Sequence, residues 1–275
     1  MGRRFSILMF APVAGFLLAA CGGPMAEEVE PTPTPARATY RPHAATYQVS
    51  GRRYVSQGEG PEIETGLRYS VSVELSEEGP QTEASFTVDS VLEVWGSGLR
   101  GRTASAVGYE FKGTLDSGGH VAFEEKPDDR DPVLVFLFNN LKELLPALPQ
   151  AGVSPRQEWA DTTESDVLQE DAELRATQVR SFRASEWETV DGSFLLPLGW
   201  SGEITISGSG EQLGQQYMVE AAGTVSGRAM ISQSGAIVEG FRQAAWRGHI
   251  TVVSSGFEVA FSQTVADTVR IVSQW

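Results

Sequence analysis

The chain has 275 residues, enough for one large domain or two small ones. Hydrophobic residues make up 41 %, so a core can form, while a formal net charge of −15 gives a surface that repels nucleic acid and excludes that class of partner. The one cysteine, Cys21, excludes an internal disulfide, and 29 glycines among many serines and threonines favour turns and strands over long helices.

Residues 1–20 have the pattern of an export signal. Arg3 and Arg4 form a positive start, and Phe5 to Leu18 an apolar stretch interrupted by Pro12 and Gly15. That stretch is shorter than the ~20 residues needed to span a bilayer. Leu18-Ala19-Ala20-Cys21 resembles the lipobox of bacterial lipoproteins. The resemblance implies cleavage before Cys21, a diacylglycerol on its thiol and a palmitate-type acyl chain on the new amine. Several chains together anchor stably where one would not. Gly22 and Gly23 stand where lipoproteins retained at the inner membrane of proteobacteria carry an aspartate. The resemblance therefore implies a lipid-anchored protein of the cell envelope, with the outer membrane favoured, on its periplasmic face or its surface.

Residues 21–45 read as a lipidated tether, stiffened by Pro-Thr-Pro-Thr-Pro at 31–35. A first β unit follows over 46–130. Thr46 to Val55 forms one strand with a kink at Gly51. Leu67, Tyr69, Val71, Val73 and Leu75 alternate with polar residues in a second. Gly79-Pro80 marks the next turn, and Phe86 to Val94 reads as a third strand with an irregularity near Asp89-Ser90. Val107 to Leu115 and Val121 to Glu125 pair across Asp116-Ser-Gly-Gly119 as a hairpin.

A helix is predicted in 131–150. Asp131 is a good N-cap and Pro132 suits the first helical position. Leu134, Leu137, Phe138, Leu141, Leu144, Leu145 and Leu148 recur at helical spacing, a face more apolar than a surface helix needs. The acidic stretch 151–172 reads as a solvated linker. A second β unit occupies 173–275, with strands at 173–188, 202–208, 216–225, 227–232, 236–245, 247–253 and 258–272. The expected fold is mainly β, a curved antiparallel sheet or sheets forming a half-barrel or tandem half-barrel with one helix. Residues 113–121 and 227–237 are loosely similar strand–turn–strand units, which suggests two related halves.

Leu145-Pro-Ala-Leu-Pro-Gln-Ala-Gly-Val-Ser-Pro-Arg-Gln-Glu-Trp159 resembles a mid-chain signature of uncharacterised two-unit β-rich lipoproteins, with Pro155-Arg156 standing where glycine is usual. Curved sheets closed by an apolar helix behind a lipobox resemble in plan the LolA/LppX/LprG-like envelope lipid carriers. That resemblance implies a concave face able to hold acyl chains.

Catalytic chemistry finds no motif. Gly199-Trp-Ser-Gly202 lacks the glycine spacing of a nucleophile elbow, and His43, His120 and His249 are scattered and read as surface residues. Neither zinc spacing nor a calcium loop is present, so no metal and no cofactor is expected. The expected role is a binding module for a lipid or other apolar ligand, with Phe136, Phe138, Leu141, Leu145, Trp200 and Phe241 as lining residues. The alternative is a structural or protein-interaction lipoprotein whose helix simply fills the core. An enzyme is not expected. The membrane is the expected partner, through the anchor at Cys21, and no protein partner is indicated.

Overall fold

The computed structural model describes residues 34–78, 81–116, 118–169 and 171–274. The export signal, Cys21 and the Gly79-Pro80 turn lie outside them. The period-two pattern becomes β1 (His43–Gln57), β2 (Ile63–Glu78), β3 (Gln81–Trp95), β4 (Glu110–Leu115) and β5 (Val121–Phe123). After the helix α1 (Pro132–Leu141) come β6 (Glu158–Gln169), β7 (Ala172–Ala184), β8 (Glu188–Val190), β9 (Ser193–Gln212), β10 (Gln215–Ser232), β11 (Ile237–Val252) and β12 (Phe257–Gln274). All belong to one curled antiparallel half-barrel sheet, ordered β5-β4-β3-β2-β1-β12-β11-β10-β9-β7-β6, with the short β8 paired only to β9. The two β segments therefore share a single sheet, joined where β1 pairs with β12 from Ala45↔Gln274 to Gln57↔Phe261.

This order explains the helix. β1 lies in the middle of the sheet; from it the chain meanders out to the edge β5 and must then reach the opposite edge β6. Residues 124–157 make that crossing, and α1 lies within it. Its Val133, Phe136, Leu137, Phe138 and Leu141 are all buried, so an apolar surface nearly all round is what the position demands. Asp131 caps it as expected: Oδ1 accepts from the amides of Val133 (3.0 Å) and Leu134 (3.2 Å).

Four sequence expectations are corrected. The helix is shorter than 131–150: Pro146 has no amide to give the Lys142 carbonyl and its ring would clash there, so the helix stops and Leu144, Leu145 and Leu148 are buried from turns instead. The linker 151–172 contains a full strand, β6, whose inward residues are largely polar and so carry no hydrophobic alternation. The tether 21–45 is docked from Ala38 on: Ala38 exchanges backbone hydrogen bonds with Val153, and the Tyr40 hydroxyl donates to the Pro146 carbonyl at 2.5 Å. The predicted breaks at Ser226 and Trp246 do not exist, because β10 and β11 run through them as one long hairpin.

β3 bulges at Asp89 and Leu92, near the expected irregularity; the hydroxyl of Ser72 donates to the Asp89 carboxylate at 3.0 Å. Tight curling is possible because glycines stand where neighbouring backbones close in. A Cβ on Gly202 would lie 2.0 Å from the Val179 carbonyl oxygen, and one on Gly223 2.0 Å from that of Ala245.

Candidate functional site

Register fixes which side chains face inward. Across β6, β7 and β9 the inner row Trp159–Phe182–Trp200 forms an aromatic ladder, with centroid separations of 5.0 and 5.7 Å. The Trp200 indole lies against Gly227, where any Cβ would collide with it. The same row continues as Arg242 and Asp267 on β11 and β12.

Beside the ladder runs a belt of charge inside the sheet. Arg180 reaches Asp161 at 2.7 Å and Glu143 at 3.3 Å, and His120 Nε2 faces the other oxygen of Asp161 at 2.9 Å. Arg242 pairs with Asp267 at 3.1 Å, whose second oxygen accepts from Asn140 at 2.6 Å; Tyr69 donates to Asn140 at 2.5 Å. Arg53 lies over the Phe136 ring at 4.6 Å and reaches only the Phe136 carbonyl, at 3.5 Å. Burial acts on Arg53, Asp267, Asp161 and Glu143. It pushes the Arg53 guanidinium down to about 10 and, against the pull of Arg242 and Arg53, leaves Asp267 above the usual carboxylate range. At Asp161 burial also pushes upward, but hydrogen bonds from His120 and Arg180 outweigh it and hold the carboxyl well below its ordinary value. At Glu143 the charges of Arg242 and Arg180 likewise overcome burial and lower it.

Past the belt, toward the β9–β10 and β11–β12 turns, the inner face is apolar again. Leu174, Ala176, Ile204, Ile206 and Val219 form a second buried cluster, separate from the core around α1. Tyr217, Trp246, Ile250 and Phe261 pack against it and remain partly open, and Phe257 at the rim is 63 % exposed. This trough meets the belt at a space of about 80 Å³ bounded by Arg53, Lys142, Gln178, Gln263, Val167 and Trp246 among others.

The residues expected to line a cavity fall in three places. Phe136, Phe138, Leu141 and Leu145 are core side chains, at most 5 % exposed; Phe138 packs on Phe111 and Phe123. Trp200 belongs to the ladder and borders a space of about 30 Å³ beside the helix, too small for an acyl chain. Phe241 also borders that small space, but its place on β11 has the parity of the outer face. It sits opposite Arg228 and Thr268, one step out of register with the inward Gly240 and Arg242, and borders an outer-face hollow of about 740 Å³ lined by Arg52, Trp95 and Arg270. A one-residue change of parity moves a strand side chain to the other face, and the Gly240-Phe241-Arg242 run disguises that parity by placing a charge inward.

Sequence reasoning missed the belt and the trough. His120, read as a surface residue, is tucked against Asp161 and Thr163. Asp161 falls in the stretch whose acidity reads as a solvated linker. The usable signal for the trough was the alternation of Ile204 and Ile206 on β9 and of Val219 and Ala221 on β10, which meet at Ile206↔Ala221. His43 Nδ1 contacts the Arg41 carbonyl at 2.8 Å, and His249 lies on the outer face of β11. Among the described residues no cluster of three or more potential metal ligands occurs, and no helix is long and apolar enough to cross a membrane.

No protein-family model matches the chain, and no curated protein does. Two solved structures align weakly. A loop L8 deletion mutant of OmpT, an outer membrane protein of Vibrio cholerae, aligns over 82 % of this chain and 98 % of its own at 9 % identity and a TM-score of 0.23. A LolA superfamily protein from Nitrosomonas europaea aligns over 84 % and 85 % at 9 % identity and a TM-score of 0.15. Similarity at this level carries no argument about function.

Proposed function

We propose that the protein is a lipid-anchored envelope lipoprotein, held at the outer membrane through Cys21, whose half-barrel is a binding module for a lipid or other apolar ligand. The observation that carries this reading is the second apolar cluster. Leu174, Ala176, Ile204, Ile206 and Val219 form a cluster separate from the core packed around α1, and the partly open aromatic and aliphatic side chains against it are the walls an apolar ligand needs. The ligand lies in that trough, not beneath the helix, where Phe138 and Leu141 already fill the interior. The protein acts by binding and not by catalysis: Gly199 to Gly202 lie inside β9 with no turn to present Ser201, and His120 is engaged by Asp161 and Thr163.

The test is native mass spectrometry of residues 22–275, produced without the lipidation signal. A stoichiometric apolar adduct, lost in a Phe261→Ser variant that remains folded, is the expected result. A bare polypeptide mass after incubation with a lipid extract would overturn the ligand. It would favour the alternative, an interaction module, for which the filled interior around α1 speaks. A hydrolase panel run on the same protein and on His120→Ala and His249→Ala variants tests the absence of catalysis; turnover abolished by either variant would overturn it.

A further inference from the structure

We infer that the ligand of the trough carries an oxyanion head, a carboxylate or a phosphate, seated between Arg53 and Lys142 at the end of the trough nearest the helix. This builds on the binding reading above and names the chemistry of its polar end.

The warrant is the charge balance of the belt. Arg180 and Arg242 take all three of its carboxylates, Glu143, Asp161 and Asp267, within ion-pair distance. Arg53 and Lys142 are left with no carboxylate in contact. Arg53 has the Phe136 carbonyl and ring; Asp267 is near enough to favour its charge, but both oxygens of Asp267 are already bonded, to Arg242 and Asn140. Lys142 Nζ donates to the backbone carbonyl of Asp166 at 3.0 Å and sits over the Phe138 ring, while the Asp166 carboxylate is held by Lys126 at 2.8 Å. Arg53 and Lys142 thus feel carboxylates nearby but make no ion pair of their own, and a buried guanidinium with no counter-ion in contact is costly.

Both unpaired cations border the same space of about 80 Å³. Its other boundary, Val167, Ala176, Ile204, Ile206 and Trp246, is continuous with the apolar trough. An oxyanion there would gain charge-assisted hydrogen bonds from both cations, and Arg242 borders the same space. An attached alkyl chain would leave along Ile204, Ile206 and Val219. The arrangement selects an anionic amphiphile over a neutral one.

The experiment titrates residues 22–275 with three single-chain probes of equal length, hexadecanoic acid, monohexadecyl phosphate and hexadecanol, following tryptophan fluorescence, since Trp246 lines the trough. We expect the acid, the phosphate or both to bind about tenfold or more tighter than the alcohol, the scale of one added charge-assisted bond. Which anion binds better separates a free fatty acid from a phospholipid-type head. Arg53→Met and Lys142→Met should each remove most of that preference while leaving the affinity for the alcohol within about twofold. Lys142→Met carries the test by itself if Arg53→Met fails to fold. Equal binding of acid, phosphate and alcohol, or a preference that survives substitution, overturns the oxyanion head and leaves the trough standing. Failure of all three probes overturns the trough and the head with it.

Discussion

The side chain of Asn139 on α1 takes the place of a neighbouring strand for Leu168 on β6: its Nδ2 donates to the Leu168 carbonyl at 2.7 Å, and its Oδ1 accepts from the Leu168 amide at 3.0 Å. β6 is an edge strand, and an unpaired edge is a template for aggregation. The helix that crosses from one edge to the other thus also covers the second edge. Lys142 and Lys126, which bond the backbone and side chain of Asp166, and His120, which faces Asp161, extend the same seam.

Asn139→Ala should therefore act on β6 in particular. Leaving both backbone groups of Leu168 without a partner should lower unfolding stability by about 1–3 kcal/mol in urea titration. Amide exchange in β6 should accelerate while β1 and β2 keep their protection. Uniform acceleration across the sheet would mean that the seam is not local.

Glycine at the inner bends makes a second test. Gly202→Ala and Gly223→Ala each place a methyl group 2.0 Å from a carbonyl oxygen of the adjacent strand, so the strands must part. Each should lower stability by about 1–3 kcal/mol, as overpacking does. Gly199→Ala, on the same strand as Gly202 but with no atom within 4 Å of the added methyl, should stay close to the parent. Equal losses at all three positions would show that the close approach of the neighbouring carbonyls is not what requires the glycines, because the entropy of the unfolded chain favours alanine.

The plug and the trough should separate under mutation. Leu141→Ala, in the packed core, should lower stability by about 2–5 kcal/mol and leave ligand uptake per folded molecule unchanged. Phe261→Ser should do the reverse, with a smaller loss of stability and a loss of uptake. Phe241→Ser, on the outer face, should leave uptake as it is. Uptake that follows Leu141 or Phe241 would return the ligand to the places the sequence alone suggested.

Stability should fall in acid for a reason lodged in the belt. The Asp161 and Glu143 carboxyls titrate lower in the folded chain than in the unfolded one, so their contribution is present above pH ~4 and is lost as pH falls through their folded values. Asp267 has the opposite sign: its folded value is raised, so protonating it just above that range relieves burial and offsets part of the loss. Asp161→Asn should be less stable than the parent at pH 7 and show a shallower decline below pH 4, read from urea midpoints across the pH range. A variant curve parallel to that of the parent would place the acid sensitivity elsewhere.

The amino-acid sequence by itself determined what depends on local pattern. Alternation of Leu67, Tyr69, Val71 and Val73 against polar neighbours specifies a half-buried strand, and the Asp131-Pro132 cap specifies where the helix begins, because these signals act over a few residues. The same locality made the class legible: many strands, one helix, curved antiparallel pairing, with one sheet or two left open. Only the tertiary structure decided what those elements face. β6 was illegible because its inward Asp161 and Thr163 find partners on Arg180 and His120, far away in sequence, so polarity there signals burial and not exposure. Phe241 looked like a wall and is on the outside, since parity on a long strand is set by its pairing with β10 and β12 and not by how apolar the residue is. The helix residues looked like a cavity lining and are its filling, because the crossing from edge to edge brings them against the sheet they were expected to leave open. An apolar side chain carries the same free energy of burial against protein as against a ligand, so which of the two it meets is settled by chain topology alone.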